Sequence, residues 1–240
     1  MNSFDAAILE FVNSAAQKSR FFDLVVGHIS WNNLLKSGLI LSFFWWAWFK
    51  DDRNGGDPTT AREHILATLV GAIVSVGFAR AFAQLLPFRQ RPFLVTELHW
   101  VPPFKSEGTL ALEKWSAFPS DHAALFFSLA FGLLFISRRL GIFAMLYTLV
   151  VVCLPRIYLG VHAPTDLLAG GALGVGVAWI FNTNGNRQRI STPALKLLQQ
   201  SPGVFYAGMF LLTYQTADMF EHLRAILSAT SKAMSGLSGG

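Results

Sequence analysis

Pro155-Arg156-Ile157-Tyr158-Leu159-Gly160-Val161-His162-Ala163-Pro164-Thr165-Asp166 divides two apolar runs, 140–154 and 164–181. It holds an arginine, a histidine and an aspartate in a fixed frame, with almost nothing else polar nearby. Pro164 suits the first turn of a helix, where its missing N–H leaves no hydrogen bond unmade. A helix starting there puts His162 just ahead of the first turn and Asp166 within it. The carboxylate can then reach back to an imidazole nitrogen and fix its tautomer. The plainer alternative is a capped helix start with a satisfied histidine.

The surrounding chain is apolar. Of 240 residues 52% are hydrophobic and only 14% charged, with 7 Trp and 22 Phe; soluble domains carry about a quarter charged residues. This composition predicts an integral membrane protein. The net charge of +5 fits loop lysines and arginines or an anion site. Nucleic acid is a poor partner, because no basic run interleaves with aromatics. One cysteine, Cys153, excludes an intrachain disulfide and makes a cysteine-based metal site a poor reading. The first ten residues lack a basic n-region and contain Asp5 and Glu10, so no cleavable signal peptide is predicted.

A span needs about 20 residues to cross a bilayer core of ~30 Å. On that scale the predicted spans are 34–49, 64–86, 120–136, 140–154, 164–181 and a weaker 203–217. An amphipathic segment, 4–17, reads as an interfacial helix, and 21–30 as a second short piece. Lys36 is placed to snorkel at one end of the first span, and Trp45, Trp46 and Trp48 to mark an interface at the other. Residues 182–201 read as a polar, basic connection, and the Ser/Gly-rich 229–240 as a disordered tail. The expected architecture is all-α: a polytopic bundle of about six transmembrane helices with an N-terminal interfacial helix, in one domain over 1–228. Basic residues cluster in three alternate loops, around Lys50, Arg53 and Arg62, around Arg138 and Arg139, and around Arg187, Arg189 and Lys196. The positive-inside rule makes that face cytoplasmic. Loops 89–119 and 156–166 then share the outer face, toward the periplasm or exterior of a cytoplasmic membrane.

Three stretches meet on that face. Arg89-Gln90-Arg91-Pro92 places two arginines beside the membrane, where they need an anion or water; contact with lipid headgroups is the bland alternative. Phe118-Pro119-Ser120-Asp121-His122-Ala123 opens a span with a good N-cap, Ser120. The free N–H groups after it suit a phosphate; the alternative is a Ser-capped helix with a chance histidine. The third is the stretch around His162. Two histidines and one aspartate form a sparse metal set, and the arginines beside them repel a cation and attract phosphate. Metal-free phosphoryl transfer fits better, one histidine acting as nucleophile and the other as general acid.

These stretches resemble the three-part signature of the type-2 phosphatidic acid phosphatase family, which includes bacterial lipid phosphatases and undecaprenyl pyrophosphate phosphatases and is similar to vanadium haloperoxidases. The family pattern Lys-x6-Arg-Pro, Pro-Ser-Gly-His, Ser-Arg-x5-His-x3-Asp reads here Gln84-x6-Arg91-Pro92, Pro119-Ser120-Asp121-His122, Pro155-Arg156-x5-His162-x3-Asp166. The resemblance implies that His162 attacks phosphorus and Asp166 orients it. It implies that His122 protonates the leaving oxygen, and that Arg91, Arg156 and Ser120 hold the phosphate with the N–H of Asp121. It also implies a lipid phosphate substrate, a membrane setting, and no cofactor or metal. Gln84 departs from the family lysine; by position it is still counted among the expected phosphate-binding residues, with Arg80 or Arg89 as possible replacements. Asp121 departs from glycine, and its carboxylate is expected to point away from phosphate. Pro155 departs from serine. These departures keep a non-catalytic lipid-phosphate-binding protein open as an alternative, and the haloperoxidase likeness keeps vanadate-dependent oxidation open. Within the leading reading, undecaprenyl pyrophosphate comes first and phosphatidic acid or phosphatidylglycerol phosphate next. In loop 93–118, Glu97, His99, Trp100, Lys105, Glu107, Lys114 and Trp115 could shape a headgroup pocket or an interfacial anchor. The sequence sets no oligomeric state.

Overall fold

A computed structural model describes residues 1–50, 58–104, 112–222 and 230. The predicted tail therefore lies, apart from Thr230, outside the described residues, as do Arg53, Lys105 and Glu107. Among the described residues all regular structure is helical. Two short helices, α1 (Ser3–Asn13) and α2 (Arg20–Trp31), precede a π-helical turn (Leu34–Gly38) that runs into α3 (Leu39–Phe49). The long α4 (Pro58–Leu85) is followed by an extended loop with two 3-10 turns, then α5 (Asp121–Leu134). Next, α6 (Arg138–Tyr147), a π-helical segment (Thr148–Cys153) and α7 (Leu154–Tyr158) form one continuous rod. There follow α8 (Pro164–Phe181), α9 (Asn184–Gln200) and α10 (Pro202–Ala217).

Among the described residues, three helical stretches are long and apolar enough to cross a membrane: Thr59–Leu85, Arg138–Tyr158 and Pro164–Phe181. Leu34–Phe49 and Asp121–Leu134 are apolar but shorter. The chain is thus a multi-pass membrane protein.

The centre of the bundle is α5, wedged between α4 and α8. Glycine makes this approach possible. A Cβ added at Gly170 would lie 2.2 Å from the Ser120 carbonyl oxygen, and one at Gly174 2.1 Å from that of Ala124. The backbone of α8 therefore rests directly on the first turns of α5. A core of Phe44, Trp48, Ile65, Leu69, Phe126 and Leu129 fills the other side.

Four local readings change. Residues 182–201 are largely helical: α9 turns Ala194, Leu195 and Leu198 onto the core, and Arg187 ties it to Glu63 (3.0 Å) and His64 (2.9 Å) of α4. Trp48 marks no interface; it is 1% exposed and stacks on Phe205. Lys36 does not snorkel, being buried. Asp5, within the segment read as an interfacial helix, is buried against α8.

Candidate functional site

The N-terminal ends of α5 and α8 lie side by side, joined by a bond from the Ser120 N–H to the Asp166 carbonyl (3.1 Å). Each end follows from local sequence. Ser120 has extended backbone and its hydroxyl accepts the Ala123 N–H at 3.4 Å, as an N-cap does. Pro164 opens α8, and Asp166 folds back to accept the Ala163 N–H at 2.7 Å. The rod carrying Arg156 reaches the same place. Pro155 lacks an N–H and would crowd the preceding turn of an ordinary helix; the π-helical segment before it opens that turn. After α7, Gly160 adopts φ +66° and packs against the Trp100 ring. That left-handed turn, open to glycine without steric cost, delivers His162 beside α5.

The result is a cavity of about 340 Å³ lined by Arg91, His122, Arg156, His162, Lys36 and Asp121, among others. It gathers residues from α5, the α6–α7 rod, the α7–α8 turn, the loop after α4 and the π-helical turn before α3. Ser120 is fully buried and does not itself line the cavity, though its neighbours Pro119 and Asp121 do. Gln84 stands apart: it is exposed and does not line the cavity.

His162 is buried, and its Nδ1 lies 3.0 Å from the Ala117 carbonyl. A carbonyl only accepts, so Nδ1 carries the proton and Nε2 keeps its lone pair. Asp166 Oδ2 is 3.8 Å from the same nitrogen, an electrostatic contact rather than the direct bond that the sequence suggested. The carboxylate is engaged elsewhere, with the Ala163 N–H and with Arg89 Nη1 at 2.8 Å; the latter is an ion pair without hydrogen-bond alignment. Burial pulls the His162 pKa below its ordinary value, and the nearby Arg91 and Arg156 charges add to this against the opposing effect of Asp166.

Asp121 does not point away. Its side chain lines the cavity, bonded to His122 Nδ1 (2.8 Å) and paired with Arg80 Nε (3.3 Å). Its negative charge is therefore neutralised locally, and His122 gains an oriented ring. Arg91 is fixed by the Leu112 carbonyl at Nε (3.1 Å) and the Val161 carbonyl at Nη1 (2.9 Å), leaving Nη2 without an acceptor among the described residues. Arg156 Nε is buried and likewise lacks a partner. Two guanidinium groups with unmet donors suit an oxyanion. Burial lowers the Arg91 pKa, with Asp121 and Asp166 opposing. Among the described residues no group of three or more His, Cys, Asp or Glu side chains could hold a metal.

Sequence reasoning missed three contributors: the Ala117 carbonyl, the buried Lys36, and Asp5. Asp5 accepts from Arg89 Nη2 (2.6 Å), the Thr165 N–H (2.9 Å) and the Thr165 hydroxyl (2.6 Å). It thereby caps α8 and holds the arginine that pairs with Asp166. Burial pushes its pKa up, but the Thr165 bonds and Arg89 outweigh that, and the net shift is downward. In loop 93–118, Trp115 and Leu112 line the cavity, whereas Trp100 belongs to a separate apolar pocket.

Several known proteins are similar to parts of this chain. The chain is 24% identical over 123 residues to the undecaprenyl-diphosphatase BcrC of Bacillus subtilis, covering 51% of this chain and 58% of the relative. It is 46% identical over 66 residues to a lipid A 4'-phosphatase of Bacteroides thetaiotaomicron, 27% of this chain and 29% of the relative. The bacitracin transport permease protein BcrC of Bacillus licheniformis matches at 42% over 60 residues, 25% of this chain and 29% of the relative. These matches span less than two thirds of each relative's length. The crystal structure of Aquifex aeolicus LpxE superposes with a TM-score of 0.48 at 21% identity, over 73% of this chain and 92% of that one. The family model of the PAP2 superfamily matches residues 63–189, which contain all three signature stretches from Gln84 to Asp166. The chain belongs to the PAP2 superfamily.

Proposed function

We propose that this protein is a membrane lipid phosphatase that releases a terminal phosphate from a lipid phosphate or diphosphate at the outer face of a cytoplasmic membrane. The observation that carries this reading is the meeting of His162, His122, Arg91 and Arg156 in one cavity at the ends of apolar helices. A headgroup can enter there while its tail stays among the helices. The printed names of the relatives, an undecaprenyl-diphosphatase and a lipid A 4'-phosphatase, support a lipid-borne phosphate. An undecaprenyl-type diphosphate is the first candidate, and phosphatidic acid or phosphatidylglycerol phosphate the next.

In the proposed reaction His162 Nε2 attacks phosphorus, the bond to the leaving oxygen breaks, and a phosphohistidine forms. His122 gives its proton to the leaving oxygen. It then takes a proton from the water that attacks the phosphohistidine, so phosphate leaves and both imidazoles return to their starting states. The Arg91 and Arg156 donors and the N–H groups following Ser120 stabilise the charge on the transferring phosphoryl group. No metal takes part.

The test is phosphate release by the purified protein in detergent with EDTA present, across a panel of lipid phosphates. Release is expected from at least one lipid, His162→Ala should fall to background, and His122→Ala should lose about 10²- to 10⁴-fold in kcat. Turnover that survives His162→Ala would sink the nucleophile assignment, and strict dependence on added metal would sink the metal-free route.

A further inference from the structure

The resembled signature carries a lysine where this chain has Gln84, and Gln84 is exposed outside the cavity. The two arginines nearest in sequence are already engaged. Arg80 pairs with Asp121 and donates to the Met219 carbonyl (3.1 Å). Arg89 pairs with Asp5 and Asp166. Lys36 differs from both. It is 5% exposed and lines the same cavity as His122, Arg156 and His162, and its ammonium has no hydrogen bond or ion pair among the described residues. A buried ammonium without a partner is costly, and the space open to this one is the phosphate cavity.

Local structure explains its direction. The π-helical turn Leu34–Gly38 leaves Leu34 75% exposed and Leu35 38% exposed while Lys36 and Ser37 turn inward. Such turns are frequent at functional sites. The turn is pinned on both sides: the Ser37 hydroxyl donates to the Ala217 carbonyl (2.9 Å), and the Tyr147 hydroxyl to the Leu35 carbonyl (2.5 Å). The acids on the cavity wall do not take the ammonium. Asp121 is held by Arg80 and His122. Asp218 accepts from Asn33 (3.2 Å) and His222 (2.5 Å). Glu221, also on the wall, is exposed.

We propose that Lys36 is a phosphate ligand of this site, supplying from a different helix the cation that position 84 lacks. This rests on the phosphate-site reading above. It makes the anion contact a property of the fold rather than of the signature: a lysine far away in sequence occupies the same cavity.

The experiment measures binding of inorganic phosphate to the purified full-length protein in detergent, by thermal-shift titration, beside turnover of a short-chain phosphatidic acid. Lys36→Met is expected to weaken phosphate binding about 10- to 100-fold, the usual range for losing one charged hydrogen bond, and to raise KM; Lys36→Arg should stay within a few-fold of wild type. Wild-type affinity in Lys36→Met overturns the Lys36 assignment alone. Absence of phosphate binding by the wild type overturns the phosphate site together with it. If Lys36→Met does not fold, the wild type still decides. Phosphate should slow acylation of Lys36 by a small amine reagent and leave the exposed Lys18 and Lys196 unaffected. Equal rates at Lys36 with and without phosphate overturn the proposal. Phosphate protection without lipid turnover would assign the site to free phosphate rather than to a lipid headgroup.

Discussion

Asp121 breaks the resembled signature at one residue, and its partners show how the proposed chemistry can accommodate it. A free carboxylate beside a phosphate would repel it, yet this one is tied to Arg80 and to His122 Nδ1. The bond fixes an imidazole that lines the cavity and leaves its other nitrogen free of Asp121, the role an aspartate plays for a general acid–base histidine. Asp121→Gly, which restores the residue of the resembled pattern, is therefore expected to lower kcat by about tenfold, with circular dichroism unchanged; a rate equal to or above wild type would remove Asp121 from the mechanism. His162 carries a second prediction. As nucleophile it must be neutral, and burial, with help from Arg91 and Arg156, holds its pKa below 6.5. The neutral form thus persists at pH values where an ordinary histidine is protonated, so the acid limb of kcat/KM should lie below pH 6.5. The same shift makes stability fall with acid: below pH 6.5 the unfolded chain takes up a proton that the folded site resists. An acid limb at or above pH 6.5 would contradict a buried nucleophile.

At the scale of elements, the site is a junction of two helix starts, and its tolerance to change is set by backbone contact. Gly170 lies under the Ser120 carbonyl and Gly174 under that of Ala124. A methyl group at either position meets backbone, which cannot rotate aside. Gly174→Ala should cost about 1–3 kcal/mol of stability, as overpacking does, while Gly170→Ala should also cut activity because it displaces the phosphate-binding turn; melting temperature and kcat measured together separate the two. The N-terminal helix is a second dependence. Asp5→Ala removes a buried carboxylate that accepts from Arg89 and Thr165, and should lower both stability and kcat, with Asp5→Asn milder because it keeps part of the bonding. The sequence made the two helix starts legible, since Ser120, Pro164 and Asp166 act through their immediate neighbours. It could not make Asp5 or Lys36 legible: each looks like an ordinary polar residue on an amphipathic or apolar segment until the tertiary fold turns it inward. The helix α9 was missed for a related reason. Its few apolar residues gain their meaning only from the core they cover, and its Arg187 only from Glu63 and His64.

At the scale of the whole molecule the two ends of the bundle differ in chemistry, and this sets a direction across the membrane. One end carries Arg62, whose Nε donates to the Trp48 carbonyl (3.3 Å), and Arg187 on Glu63. The opposite end carries the cavity, with Arg91, Arg156 and His162 drawn inward and buried. Arg62 and Arg187 at the first end stay partly exposed, whereas Arg91 and Arg156 at the second are buried, Arg156 with an unmet donor. Orientation by positive charge counts the first kind and should put that end in the cytoplasm, leaving the cavity outside. A single cysteine makes this measurable, because Cys153 is buried. With Cys153 replaced by alanine, Gln90→Cys beside the cavity end and Gln188→Cys on α9 both introduce thiols at exposed positions. In intact spheroplasts a membrane-impermeant maleimide should label the protein carrying Gln90→Cys. It should reach the one carrying Gln188→Cys only after the membrane is permeabilised. The reverse pattern would place the cavity in the cytoplasm, and the substrate would then have to be a phosphate lipid of the inner leaflet.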